Sequence, residues 1–204
     1  WSFDHRDGAC QGRCGNPGNL AAATKGATAM ALLPFLGAGQ THKDGKYKKN
    51  VLAGLEFILG QANETGHFME PGGRMYSHGL CAITLCEAFA LTQDKGLQSS
   101  AQKAIDFIVY AEDEEGGGWR YSPKEAGDTS VMGWQVMALQ SARAAGLKVP
   151  TATLNGANSY LDKAEWKKSG RYGYQPGQAP KPTMTAEGLL CRMYLGSNKN
   201  QNRL

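Results

Sequence analysis

The stretch Gly116–Leu139, GGGWRYSPKEAGDTSVMGWQVMAL, decides the fold, because it holds every part of a unit that the chain repeats. Glycines and the pair Trp119 and Tyr121 come first, followed by a polar loop, then by Asp128-Thr129-Ser130 and an apolar run. Small oxygen-bearing side chains ahead of such a run mark a helix start, since they accept hydrogen bonds from the first free amides. The run MGWQVMAL from Met132 has counterparts in KGATAMALL from Lys25, HGLCAITLC from His78 and EGLLCRMYL from Glu187. Gly26, Gly79, Gly133 and Gly188 hold the second place in each and lie 53, 54 and 55 residues apart. A period near 54 residues predicts a helical repeat.

Working outward, an aromatic turn precedes each glycine: WSF at Trp1, HFM at His67, WRY at Trp119 and YGY at Tyr172. Between the glycines lies a second helical pattern, in KKNVLAGLEFILGQ from Lys48, LQSSAQKAIDFIVYAED from Leu97 and TLNGANSYLDKAEW from Thr153. Leu52, Leu55, Ile58 and Leu59 share one face of a 3.6-residue period, and Ala104, Phe107, Ile108 and Ala111 repeat it. No segment sustains period-two alternation, so the fold class is all-α. First helices are expected near residues 20–36, 75–91, 129–145 and 184–196, and second helices near 46–62, 97–112 and 151–166. Each should start on a nearby Asn, Ser, Thr or Asp: Asn19, Ser77, Asp128 or Thr129, and Thr183 or Thr185 for the first helices. One helix pair cannot bury its own apolar stripe, so the pairs must stack. Four first helices and three second ones make about three and a half repeats in one domain over residues 1–204. The array is open at both ends and begins on Trp1, which predicts a piece of a longer chain.

Composition narrows the function. A chain of 204 residues, 41% hydrophobic, is long enough for a sizeable core. The net charge of +4 is spread out, apart from Lys46-Tyr47-Lys48-Lys49 and Lys167-Lys168, and lacks the basic stripe that nucleic acid needs. No apolar run approaches the roughly 18 residues of a membrane span. Five cysteines cannot close a disulfide framework. Cys81, Cys86 and Cys191 sit in apolar stretches and read as buried thiols, whereas Cys10 and Cys14 lie in a polar loop. His5, Cys10 and Cys14 are the nearest approach to a metal cluster. A second ligand pair is missing from the local sequence, so no metal is expected there. A local disulfide and free thiols both remain open for the two cysteines. GGGW follows no strand and precedes no lysine, so it is a turn and not a phosphate loop. No cofactor is expected.

The segment FILGQANETGHF, Phe57 to Phe68, resembles the QW repeat of squalene-hopene cyclases, with its apolar helix end, Gln61, Gly66 and a following aromatic. FIVYAEDEEGGGWRY and YLDKAEWKKSGRYGY resemble the same element without the glutamine. Nearly the whole chain is thus similar to the prenyltransferase and squalene-cyclase repeat superfamily. The resemblance implies part of an α/α toroid, with the first helices inner and the second helices outer. It also implies a structural role for the glutamine and the aromatics, and an isoprenoid-like small molecule, another ligand or a protein partner on the concave face.

Those cyclases carry an acidic Asp-x-Asp-Asp-Thr motif before an inner helix, whose middle aspartate protonates an alkene. The matching stretch here is Glu125-Ala126-Gly127-Asp128-Thr129, with Gly127 in the donor's place. Glycine donates no proton. Asp128 is therefore expected to cap a helix, with Glu125 the only acidic neighbour close in sequence. Together they are the candidates for catalysis, to which no role is assigned. If the repeated glycines face the outer helices, then Thr24, Thr28, Ser77, Cys81, Val131, Gln135, Ala186 and Leu190 point toward the axis. Candidate binding residues are accordingly Thr24, Ser77, His78, Cys81, Trp134, Gln135 and Glu187. Three functions follow: a degenerate toroid that binds without catalysis, an isoprenoid enzyme whose catalytic motif lies outside this stretch, and a carbohydrate-active α/α-toroid enzyme. The last would use acids such as Glu125, Asp128 and Glu187.

Overall fold

The computed structural model describes residues 1–4, 11, 13 and 20–196. Among them the chain is all-helical: α1 (Thr24–Gly37), α2 (Lys48–Gly60), α3 (Arg74–Thr92), α4 (Lys95–Ala111), α5 (Thr129–Ala144), α6 (Thr151–Ala164) and α7 (Pro182–Tyr194). Extended pairing among the described residues is confined to isolated bridges, Glu165 with Tyr172 and Gly173 with Pro180. No described helix is long and apolar enough to cross a membrane. The chain forms two compact units, Trp1–Ala104 and Ile105–Leu204, whose boundary falls inside α4.

In the first unit α1 packs against α3 and α2. Helix α3 is buried around most of its circumference, from Met75 to Phe89, the pattern of a helix enclosed on all sides. Close approach to α1 explains Gly26: a Cβ there would lie 2.6 Å from Ser77 Oγ and 3.4 Å from Ser77 Cα. The Thr84 hydroxyl crosses the same contact and donates to Ala29 O at 3.2 Å. On α2 the buried face is Val51, Gly54, Leu55 and Ile58. Leu52, expected on that face, is 41% exposed. Val51 takes its place one residue earlier, and Gly54 lets Leu32 and Trp1 lie against the helix backbone.

In the second unit α5 packs against α7 and α6. Trp119 is 1% exposed, and its indole N–H donates to Ile108 O at 2.8 Å. Tyr172 is also buried, against Gly188 of α7. Both aromatics thus anchor the turns that carry them, as expected of this element. Two distant segments converge on the start of α5. Asp128 N donates to Trp119 O at 2.8 Å, Thr129 N to Tyr174 O at 2.9 Å, and the Thr129 hydroxyl to Gly173 O at 2.7 Å.

Two expectations need correction. Two of the repeated glycines face the neighbouring first helix, not the second helices: Gly26 meets Ser77 of α3, and Gly133 meets Glu187 of α7, while Gly188 meets Tyr172 of the turn before it. Thr28, Ser77, Cys81, Val131 and Gln135 are consequently packed inside the protein. Capping is also scarcer than expected. Ser77 lies inside α3, and α7 opens on Pro182, whose missing N–H would have no helical partner anyway. Helix α1 begins at Thr24 behind Ala23, which has no capping side chain. Asn19 lies outside the described residues.

Candidate functional site

Asp128 is fully buried and caps α5. Its Oδ1 accepts from Val131 N at 2.8 Å and from the Ser130 hydroxyl at 3.0 Å, while Oδ2 accepts from the Tyr174 hydroxyl at 3.1 Å. Tyr174 pairs in turn with the Tyr121 hydroxyl at 2.6 Å. Arg120 holds its Nε 3.6 Å from Asp128 Oδ2 and donates through Nη1 to Glu125 Oε1 at 3.1 Å. Glu125 also accepts from Ser122 N at 3.1 Å. It partners the arginine and closes its own turn. Burial, the bond to Tyr121 and the negative charge of Asp128 push the Tyr174 phenol well above its ordinary range. Burial likewise pushes Tyr160, beneath the same turn, up to about 12. Both tyrosines therefore stay neutral at physiological pH and act as hydrogen-bonding groups.

A second carboxyl, Glu187 from α7, feels the charge of Asp128. Its carboxylate lies over Gly133, where a Cβ would sit 2.8 Å from Glu187 Cδ. Burial first, and the charge of Asp128 second, push Glu187 up to about 7. Nothing local in the sequence joins these residues, since helix packing brings them together across 59 positions. Trp134, on the helix that Asp128 caps, is half-buried, and Gln135 is wholly buried with its amide donating to Val131 O at 3.4 Å.

The remaining candidates form a polar knot in the first unit, organised by a residue that sequence reasoning missed. Glu70 caps α1 from a distance of more than forty residues. Its Oε2 accepts from Lys25 N and its Oε1 from Gly26 N, each at 2.9 Å. These are two of the amides that a helix N-terminus leaves free. Ser77 donates to Glu70 Oε1 at 2.6 Å, and Thr24 is the first residue of the capped helix. His78 is a satisfied core histidine: Nδ1 accepts from Phe68 N at 3.2 Å and Nε2 donates to Ala104 O at 3.0 Å. Burial lowers it to about 3, which keeps the ring neutral. The Cys81 thiol is buried too, and burial with the Glu70 charge raises it far above reactivity.

No family model matches the chain, and no curated protein matches it. Among the described residues no group of three His, Cys, Asp or Glu side chains is placed to hold a metal. His5, Cys10 and Cys14 lie outside the described residues.

The second unit also contains an open cleft of about 510 Å³, lined by Glu112, Asp113, Gly116, Gly117 and Lys124 on one side and by Thr153, Gly156 and Lys163 of α6 on the other. A smaller hollow of about 300 Å³ adjoins it at Asp113, Gly116 and Lys163 and continues to Tyr160, Gln175 and Gln178. The triple-glycine turn read from the sequence forms part of this wall.

Proposed function

We propose that this chain is a helical-repeat binding module of the terpenoid-cyclase and prenyltransferase type, in which the acid motif has become a helix cap. Its repeats, with their period near 54 residues, would stack as a partial α/α toroid and hold a ligand or partner on the concave face. The observation that carries the proposal is the state of Asp128. Both its oxygens are engaged, by Val131 N and the Ser130 hydroxyl on one side and the Tyr174 hydroxyl on the other. With both oxygens taken up by those donors, the carboxyl has no free edge to present to an alkene. Gly127 carries no carboxyl. The resemblance itself rests on the QW-like segments and the glycine spacing. The test is product analysis after incubating the protein with squalene and, separately, with farnesyl diphosphate. Unchanged substrate is expected in both. A cyclised product that disappears in a folded Asp128→Asn variant would overturn the proposal.

One observation favours a second function, that of an acid-using carbohydrate enzyme. Glu187 and Asp128 form the kind of unequal carboxyl pair that such chemistry uses, one pushed up to about 7 beside a charged partner. Loss of polysaccharide cleavage in Glu187→Gln, with the fold intact, would establish it. An isoprenoid enzyme with its catalytic motif elsewhere in a longer chain would instead show turnover that neither variant affects.

A further inference from the structure

The cleft beside α6 does not include Asp128, and Glu112 is one of four acids that line it. Glu112 follows the last turn of α4, and its side chain reaches across to α6, where Gly156 makes room for it. A Cβ on Gly156 would lie 3.0 Å from Glu112 Cδ. The approach of the two walls is close, since a Cβ on Gly117 would stand 2.8 Å from Gly156 C. Glu112 is half-buried, and its partner in the cleft is the Thr153 hydroxyl.

Three other charged side chains around the cleft, Asp113, Lys124 and Lys163, have partners of their own. Asp113 accepts from Gly116 N at 3.0 Å and Glu115 N at 3.3 Å. Lys124 binds Glu114 at 2.8 Å with its ammonium over the Tyr110 ring, 5.2 Å from the centroid. Lys163 places its own ammonium against Glu115 O at 3.1 Å and Gly116 O at 3.2 Å. The cleft wall thus already seats ammonium groups of the chain, yet none of them is bonded to Glu112. Glu115 adds an exposed carboxylate at the rim. The adjoining hollow at Asp113, Gly116 and Lys163 makes the space elongated.

We propose that this cleft binds an alkylammonium ligand of the polyamine class, with Glu112 as the counterion of its deepest ammonium group. An elongated space with one carboxylate deep and another at the rim suits a thin chain bearing more than one positive charge. The protein as a whole carries +4, so attraction of a polycation has to be local. Burial raises Glu112 to about 7, so a proton competes with the ligand.

Calorimetric titration of the protein with spermidine at low ionic strength tests the assignment. Binding at pH 8 is expected, weakening about tenfold at pH 6 as Glu112 takes up its proton. Glu112→Gln should abolish binding, and Glu64→Gln, an exposed acid of the first unit, should leave it unchanged. Carboxyl carbon NMR of the unmutated protein gives a second measurement that needs no variant: spermidine should move the Glu112 titration to lower pH. Absence of binding at pH 8, binding retained by a folded Glu112→Gln, or a Glu112 titration that spermidine does not move would each overturn the assignment.

Discussion

Replacing Trp119 with alanine should separate a structural aromatic from one that serves a ligand. The ring is 1% exposed and its N–H is satisfied by Ile108 O at 2.8 Å. Removing a large buried aromatic costs about 3–5 kcal/mol, through lost transfer energy and the cavity left behind. About 1 kcal/mol of that belongs to the hydrogen bond. With a urea slope of about 2 kcal/mol per molar, a loss of about 4 kcal/mol moves the unfolding midpoint down by about 2 M. Trp119→Phe keeps most of the buried area and should recover more than half of the loss. Equilibrium urea unfolding followed by far-ultraviolet circular dichroism measures both. A loss below about 1 kcal/mol for the alanine variant would show that Trp119 is not a core anchor.

Three further outcomes follow from particular contacts. Glu70→Ala removes the acceptor of Lys25 N, Gly26 N and the Ser77 hydroxyl, and should destabilise by about 2–4 kcal/mol in the same urea assay, on the scale of a lost cap plus a charged hydrogen bond. Glu187 is raised from 4.5 to about 7 on folding, so the folded state binds its proton more tightly, and stability falls as pH rises through that window. Glu187→Gln should therefore raise the melting temperature at pH 8 and change it little at pH 4.5, as calorimetry at the two pH values would record; an equal change at both would remove the linkage. Finally, Gly26→Ala should destabilise by about 1–3 kcal/mol because its methyl meets the short Ser77 side chain, Oγ at 2.6 Å and Cβ at 3.3 Å, whereas Gly133→Ala meets the longer and more flexible Glu187 side chain and should stay within about 1 kcal/mol. Similar losses in both would mean that the two glycines are not distinguished by what they touch.

The helices were legible in the sequence because their apolar spacing is local. Residues 75–91 were expected and Arg74–Thr92 is found; residues 151–166 were expected and Thr151–Ala164 is found. The α5 cap was legible for the same reason, as Asp128 stands three residues before the amide it accepts from. The cap of α1 was not, because Glu70 reaches it only once the α2–α3 connection has folded back. The spacing of the glycines fixed their positions but not their direction. Which neighbour each one faces depends on how the helices pack, and that packing buries Ser77, Cys81 and Gln135 in the interior. The same holds for the carboxyl beside Asp128. Glu125 is near in sequence but belongs to Arg120, while Glu187 comes from another helix. Gly117 and Gly156 gave no local sign that their missing side chains open a space for Glu112.

The central claim is that the acidic turn before α5 holds a cap and not a catalytic acid, and exchange of the Val131 amide tests it most directly. In the unmutated protein this amide donates to Asp128 Oδ1 at 2.8 Å and should exchange slowly with solvent. Asp128→Asn keeps an acceptor in place, and the Tyr174 hydroxyl is able to turn and accept from the new amide, so protection should be largely retained. Asp128→Ala leaves the Val131 amide without its acceptor, and its exchange should quicken about fivefold, the equivalent of a lost cap of about 1 kcal/mol. Fast exchange in the unmutated protein, or protection that survives Asp128→Ala, would contradict the claim and leave the Asp128 carboxylate free for other chemistry.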